Sequence, residues 1–345
     1  MQAGFDATTH VFVIVMENHK WSAVKGSADA PYLNNAVLPI ASYCDQYYTP
    51  VGLHPSEPNY IWMEAGTNFG ILSDADPSLN HISSTNHLTT LLRNAGIAWK
   101  TYQENIPGNT CPVTSQYPYG VWHDPFVYFD DITSDFSYCT NHIRPFTELA
   151  SDLANNTVAR YNFITPNLTN DMHDYASGSF STEGQGDYWL SLQMPMILNS
   201  AAYSNNGAVF ITWDEGSPAG PIGMIVLSPL ARGGGYSNSI HYNHSSLLRT
   251  MQEIFRVRPL LGAAANANTL ADLFKSLSIS AIRTNGEFAL RIENPLAGKT
   301  YYVQASSDLQ GWTSISTNVA GGPMTVSDPA APGSSQRFYR VLQAQ

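Results

Sequence analysis

Polar residues that could bind a metal follow three apolar segments of this 345-residue chain. Glu17-Asn18 follows the run 10–16, Asp214-Glu215 follows the run 208–213, and the run 161–165 leads into the polar segment 166–174. Near-continuous apolar runs of this length predict buried parallel strands, and ligands bind beyond the carboxyl ends of such strands. The sequence therefore predicts a metal site where these three strands end.

Ser56 could act as a nucleophile at the start of a helix. The segment His54-Pro55-Ser56-Glu57-Pro58 reads as a helix N-terminus with Ser56 as its N-cap, and most serines in that position serve only as caps. A hydroxyl there would nevertheless face free backbone N–H groups and the positive end of the helix, which suit a phosphoryl group. A nearby divalent cation would activate the hydroxyl oxygen.

Seven short motifs occur one after another over residues 9–275, and each motif alone is weak evidence for any family. They are Val15–Asn18, His54–Tyr60, Lys100–Asn105, His123–Phe126, Thr165–Asp174, Asp214-Glu215 and His244–Leu248. Together they resemble the phosphoesterase family of bacterial phospholipases C and acid phosphatases, within the alkaline-phosphatase-like superfamily. The region after residue 275 lies outside this resemblance.

The resemblance implies a role for each matching position. One divalent metal ion would be bound by Glu17, Asn18, Ser56, Asp214 and Glu215. Ser56 would form a phospho-enzyme that water hydrolyses, with His173 and His244 as further catalytic residues. Substrate contacts are expected from Asn59, His123 and Asp174. Asn167, Asn170 and Asp171 depart from the wider superfamily's pattern, so a full second metal site is not expected.

The metal ligands in this set are oxygen donors, which favour Ca²⁺, Mg²⁺ or Mn²⁺ and leave Zn²⁺ possible. The leading functional hypothesis is a phosphomonoesterase that resembles the acid phosphatases. The alternative is a phospholipase C or another phosphodiesterase. A third reading is a non-catalytic protein that binds phosphate ligands. The expected substrate is a small phosphate ester or a phospholipid headgroup.

The elements that must position these residues alternate between strands and helices, which predicts an α/β fold with a mainly parallel central sheet flanked by helices. Helices are predicted over 88–95, 188–202 and 245–255. After residue 275 the pattern changes to short strands separated by turns. We therefore expect a catalytic domain over residues 1–275 and a small β-sandwich-like domain over 276–345. That domain has no cluster of catalytic residue types, and it contacts either a surface or nothing.

Composition narrows the class of protein further. The chain has 16 Lys and Arg against 27 Asp and Glu, a net charge of −11, which argues against duplex nucleic acid as a partner. No apolar run is long enough to predict a transmembrane segment. Cys111 and Cys139 flank a loop-rich stretch and are expected to form a disulfide, although two unrelated thiols are the alternative. We expect a secreted or periplasmic protein whose signal peptide has been removed.

Overall fold

The computed structural model describes residues 7–175, 178, 180–216, 220–284 and 287–344. Within this part of the chain, Thr8–Leu273 forms one compact unit and residues 274–344 belong to a second. The first residues of the sequence, on which the expectation of a removed signal peptide bears, lie outside the described residues. None of the described helices is long and apolar enough to cross a membrane.

An eight-stranded sheet forms the centre of the first unit, in the order β5-β4-β6-β1-β7-β8-β2-β9. Its strands are β1 Val11–Met16, β2 Ser42–Cys44, β4 Trp99–Gln103, β5 Ile143–Pro145, β6 Tyr161–Thr165, β7 Ala208–Trp213, β8 Met224–Leu227 and β9 Tyr236–Asn238. The five strands from β5 to β7 run parallel, and β8 is antiparallel to both of its neighbours. A separate parallel pair joins β3 Tyr47–Tyr48 to β10 Tyr242–Asn243.

Helices surround this sheet, so its central strands β1, β6, β7 and β8 are buried along their full length. The helices are α1 Trp21–Val24, α2 Ser56–Ala65, α3 Pro77–Asn80, α4 Leu88–Asn94, α5 Asp130–Thr133, α6 Phe136–His142, α7 Leu149–Ala154, α8 Thr182–Leu198, α9 Ala201–Ser204 and α10 His244–Phe255. Short 3₁₀ segments include Val121–His123 and Pro125–Tyr128. The predicted α/β fold with a mainly parallel sheet is confirmed.

Helix α8 begins six residues earlier than we predicted. Ser181 caps it by accepting a hydrogen bond from the Gly184 N–H at 3.1 Å. Gly186 is needed in the first turns, because a Cβ there would lie 2.4 Å from Met172 Cγ and 2.9 Å from Met16 Cε. Glycine is a poor helix former, which explains why this start is hidden in the sequence. Its absence of a side chain lets the helix approach the end of β1 and the segment after β6.

The predicted disulfide between Cys111 and Cys139 is present, with its Cα atoms 5.6 Å apart. It closes a loop with a sequence separation of 28 residues. This loop contains the 3₁₀ segment Val121–His123. The disulfide therefore restrains the stretch of chain that delivers His123 to the sheet. Cys44 is buried as a free thiol.

The second unit consists of two three-stranded antiparallel sheets, ordered β11-β12-β15 and β14-β13-β16. Its strands are β11 Ser278–Thr284, β12 Glu287–Glu293, β13 Thr300–Ser306, β14 Thr313–Val319, β15 Met324–Ser327 and β16 Phe338–Gln343. A shared core of Leu290, Ile292, Val303 and Val326 joins the two sheets. We did not predict β14, whose sequence Thr-Ser-Ile-Ser-Thr-Asn-Val has few apolar residues.

We propose that the two units fold independently of each other, because each has its own core. A chain ending at residue 275 should then retain the helical circular dichroism and the cooperative unfolding of the first unit. Loss of cooperative unfolding in the shortened chain would contradict this division.

A buried histidine links three helices of the first unit. His87 precedes α4 and is fully buried, with Nδ1 3.0 Å from Glu64 Oε1 on α2 and Nε2 2.9 Å from Asp131 Oδ1 on α5. Burial alone would lower the pKa of His87, but its hydrogen bonds to Asp131 and Glu64 raise the pKa overall. A raised pKa means that the protonated ring stabilises the fold. This contribution is complete below about pH 6.5 and is lost as the pH rises through the folded-state pKa.

We therefore predict that His87→Asn lowers the free energy of unfolding by about 3 kcal/mol at pH 5, because it leaves the buried carboxylate of Glu64 without a cation, while Asp131 keeps only Arg93. The loss should be smaller at pH 8. His81→Asn is the control, since His81 pairs with Asp130 on the surface. Urea unfolding at both pH values measures the effect. An equal loss at pH 5 and pH 8 would show that His87 does not contribute through its charge.

Candidate functional site

Three carboxylates meet where the central strands of the sheet end. Glu17 follows β1, Asp214 follows β7, and Asp171 lies in the segment after β6. Strand β1 lies between the other two, so its end has a neighbour on each side. The Glu17 N–H donates to the Asp171 carbonyl at 2.7 Å, and the Asp214 N–H donates to the Met16 carbonyl at 2.9 Å. Strand order therefore brings together side chains that are far apart in sequence.

These carboxylates are fully buried. Burial, with Asp214 as the next cause, raises the pKa of Glu17 well above its ordinary value. Burial likewise raises the pKa of Asp171 well above its usual range, and it raises the pKa of Asp214 to about 6. Buried anions are costly unless a positive charge is close by. The cluster thus has a strong electrostatic requirement for a cation.

His123 lies between two of these carboxylates. Its Nε2 is 3.2 Å from Glu17 Oε1 and its Nδ1 is 3.2 Å from Asp171 Oδ2. The ring stacks on Tyr60 with centroids 5.0 Å apart, and the Thr165 hydroxyl at the end of β6 donates to the His123 carbonyl. Burial lowers the pKa of His123 to about 3, so the imidazole is neutral. A neutral ring has one N–H, and therefore one nitrogen presents a lone pair to a carboxylate.

Several buried polar atoms of this cluster lack a hydrogen-bond partner among the described residues. They are Glu17 Oε1, Tyr60 OH, His123 Nε2, Asp171 Oδ2 and Asp214 Oδ2. One ligand atom each from Glu17, His123 and Asp171 lies within 4.8 Å of the others. Buried polar atoms normally have partners, so these residues fit the divalent metal ion that the sequence predicts.

Ser56 is the first residue of helix α2, with Pro55 rather than Ser56 at the N-cap. Its side chain does not cap the helix, and instead its Oγ donates to Glu17 Oε2 at 3.1 Å. The residue is only 4% exposed. Ser56 therefore lies beside the carboxylate cluster, as expected for a nucleophile. One helix N–H that we expected to be free, that of Glu57, donates to Asp74 Oδ1 at 2.9 Å.

Glu215, another predicted metal ligand, is buried directly after Asp214. Its carboxylate oxygens lie 2.7 and 2.8 Å from Nδ1 of His54, an exposed residue. Asn59, a predicted substrate contact, is fully buried and donates to Glu215 Oε2 at 3.3 Å and to the Pro55 carbonyl at 3.0 Å. Its Oδ1 accepts from the Thr49 hydroxyl. Both residues therefore fix the loop before Ser56.

Asn18, another predicted ligand, holds Asp214 through its backbone, because its N–H donates to Asp214 Oδ1 at 3.2 Å. Asn18 has a φ of 55°, and Met172, next to Asp171, has a φ of 84°. Positive φ values are unfavourable for residues other than glycine, particularly for a bulky residue such as Met. Such backbone strain concentrates at functional sites, and here it lies on both sides of the cluster.

Both ring nitrogens of His244, a predicted catalytic residue, form hydrogen bonds within the protein. Nε2 lies 2.6 Å from the Asp214 carbonyl, which can only accept, so Nε2 carries the proton. Nδ1 then accepts from the Tyr47 hydroxyl at 3.1 Å. The ring is fully buried, and burial lowers its pKa to about 4. This geometry makes His244 a support for the end of β7.

His173 and Asp174 lie at the mouth of the site, and their side chains are 34% and 36% exposed. His173 Nδ1 is 2.7 Å from Asp174 Oδ1, and the His173 N–H donates to Asp171 Oδ1 at 2.8 Å. Asp174 therefore orients His173, although it was predicted as a substrate contact. Nε2 of His173 forms no hydrogen bond to any described residue, so it remains available to a ligand.

Sequence analysis missed the place of Asp171, Tyr60 and Asp74 in this site. Asp171 was noted in the polar segment after β6, but only as a departure from a family pattern. A signal for it is the spacing Asp171-Met172-His173, which places its carboxylate two residues before the exposed imidazole. Tyr60 and Asp74 carry no such signal, because their positions result from contacts across the fold.

Comparisons with known proteins identify the family and relatives of this chain. The model of the Phosphoesterase family matches residues 27–258. The chain is 31% identical over 268 residues to phosphatidylinositol-3-phosphatase of Mycobacterium tuberculosis, covering 77% of this chain and 82% of that protein. It is also 31% identical over 168 residues to the phosphate-repressible acid phosphatase of Penicillium chrysogenum, but this match spans only 47% of the chain and 39% of the fungal protein.

Among solved structures, the chain is similar to a protein of the alkaline phosphatase superfamily from Vibrio parahaemolyticus. The TM-score is 0.52 at 11% identity, and the match covers 92% of this chain and 84% of that chain. At this identity the likeness shows the fold alone. It supports the predicted alkaline-phosphatase-like sandwich.

The buried charges predict that Asp214→Asn stabilises the metal-free protein but reduces the stability that added metal provides. In metal-free protein at pH 8 the variant should be more stable than the wild type, because the raised pKa of Asp214 means that its ionised form costs free energy. With Mn²⁺ or Mg²⁺ at 100 times the dissociation constant, the wild type should gain about 2.7 kcal/mol and the variant much less. Thermal unfolding with chelator or added metal measures both effects.

Asp130→Asn is the matched control, since Asp130 pairs with His81 on the surface. It should leave the metal-dependent gain unchanged. An undiminished gain in Asp214→Asn would remove Asp214 from the metal site.

Proposed function

The chain belongs to the Phosphoesterase family and is a phosphoric ester hydrolase, and we propose that it hydrolyses phosphate monoesters with Ser56 as the nucleophile and a divalent metal ion as cofactor. The observation that carries this proposal is the contact of 3.1 Å between Ser56 Oγ and Glu17 Oε2, beside the buried carboxylates of Asp171 and Asp214. The Ser56 hydroxyl does not cap its helix, so capping does not explain why it points toward Glu17.

The proposed metal ligands are Glu17 and Asp214, as in the sequence-based set, with Ser56 beside them. The unpartnered atoms of His123 and Asp171 support adding these residues, while the hydrogen bonds of Glu215 support a bridging role for it outside the ligand set. A nitrogen donor from His123 favours Mn²⁺ or Zn²⁺ over Ca²⁺. When bound, the cation would stabilise the ionised serine oxygen and the charge on the phosphoryl group.

The residues suit a two-step reaction. Ser56 Oγ gives its proton to Glu17 Oε2, to which it already donates a hydrogen bond, and attacks phosphorus, so that the ester P–O bond breaks and the phosphoryl group passes to the serine. His173, oriented by Asp174 at the mouth, gives a proton from Nε2 to the departing alcohol oxygen. Water then attacks phosphorus, with the same Nε2 accepting its proton, the bond between phosphorus and Ser56 Oγ breaks, and inorganic phosphate leaves as Glu17 returns the proton to Ser56 Oγ. General acid and base roles require contact with the reacting atoms, and this role is supported by the position of the His173 ring, 5.9 Å from the ring of His123.

Phosphomonoesters are the preferred substrate class because the relatives are named phosphatases. The name of the mycobacterial relative extends this class to a phosphorylated lipid headgroup, so phosphatidylinositol 3-phosphate is a useful test substrate beside p-nitrophenyl phosphate. Phosphatidylcholine tests the alternative, a phospholipase C. The Cys111–Cys139 disulfide supports a secreted or periplasmic location, because disulfides persist in oxidising compartments.

We predict that Ser56→Ala lowers kcat about a thousandfold or more, equivalent to about 4 kcal/mol of barrier, while the melting temperature changes little. The hydroxyl contributes no cap, so the fold should survive its loss. Hydrolysis of p-nitrophenyl phosphate with added metal measures the effect. Ser22→Ala, an exposed serine on α1, is the control. Mass spectrometry of acid-quenched wild type should find phosphate on the peptide that contains residue 56. A variant that keeps a tenth of the wild-type rate would exclude Ser56 as nucleophile.

A further inference from the structure

A carboxylate is fixed at the start of the helix that carries Ser56. The Glu57 N–H donates to Asp74 Oδ1 at 2.9 Å, and the Ala75 N–H donates to Glu57 Oε2 at 2.7 Å. Asn80 Nδ2 donates to the other carboxylate oxygen of Glu57 at 2.8 Å. Glu57 is fully buried. This reciprocal pair of bonds holds the segment of Asp74 rigidly against helix α2.

Asp74 lies close to the proposed nucleophile, because the N–H that it binds belongs to Glu57, the residue directly after Ser56. It is among the helix N–H groups that would otherwise attract an anion. Asp74 itself is exposed, and its hydrogen bond to the Glu57 N–H holds its carboxylate one residue from Ser56. A substrate entering the site therefore passes a fixed negative charge.

We propose that Asp74 determines substrate selectivity by charge: it disfavours phosphate esters whose alcohol portion is anionic and favours those whose alcohol portion is neutral or cationic. This inference rests on the proposed function, since it concerns the leaving group of the same site. Ser56 and the buried carboxylates receive the phosphoryl group. The alcohol portion must remain nearer the opening, where Asp74 is exposed.

The charge can be removed without changing the shape of the side chain. In Asp74→Asn the amide oxygen still accepts the hydrogen bond from the Glu57 N–H, so the start of helix α2 stays capped. Removing one charge several ångströms from another, near a protein surface, changes relative rates about three- to tenfold. The effect should shrink at high salt, because exposed charges are screened.

The test compares three substrates in wild type and Asp74→Asn: phosphocholine with a cationic alcohol, p-nitrophenyl phosphate with a neutral one, and 3-phosphoglycerate with an anionic one. We expect kcat/KM to rise about three- to tenfold for 3-phosphoglycerate and to fall by a similar factor for phosphocholine. It should change little for p-nitrophenyl phosphate. Added 0.5 M salt should reduce both changes.

Asp76→Asn is the matched control, because Asp76 lies in the same segment but its charge acts on Tyr119. It should leave all three ratios unchanged. An equal change of kcat/KM for the three substrates in Asp74→Asn would make Asp74 a helix cap only and overturn the inference, as would no change at all. If the metal-loaded wild type hydrolysed none of the three, the proposed function would fail, and this inference with it.

Discussion

The structure of the first unit depends on one electrostatic constraint, the burial of Glu17, Asp171 and Asp214 at the ends of three adjacent strands. Each carboxylate pays a desolvation cost, and each repels the others at short range. Backbone N–H groups relieve part of this cost, since Asn18 donates to Asp214 and His173 donates to Asp171. The oxygens that remain without partners are those that a cation would satisfy.

Other features of the fold maintain this arrangement at the expense of local stability. Asn18 and Met172 adopt unfavourable backbone conformations on either side of the cluster. Gly186 lowers the helix propensity of α8, but its lack of a side chain lets α8 approach Met172 and the end of β1. His244 uses both ring nitrogens to fix the end of β7. Strain and poor local propensity of this kind are expected where geometry matters more than stability.

The site separates into a buried floor and an exposed mouth with different physical roles. The floor excludes water, which strengthens the effect of every charge on Ser56 and on a bound phosphoryl group. The mouth has His54, His173 and Asp74 on segments that follow different elements of the fold. Electrostatic effects there are weaker and can vary without disturbing the floor.

The sequence by itself determined the buried strands β1, β6, β7 and β8, because their β-branched and apolar runs leave little choice of structure. It also determined that polar residues follow these strands and that Ser56 begins a helix. Only the tertiary structure decided which polar side chain turns inward. Asp214 and Glu215 are both buried, but Asp214 accepts from the Asn18 N–H beside Glu17 while Glu215 contacts His54. His123 reaches Glu17 from a distant loop, and a contact made across the fold leaves no spacing in the sequence by which it could be predicted.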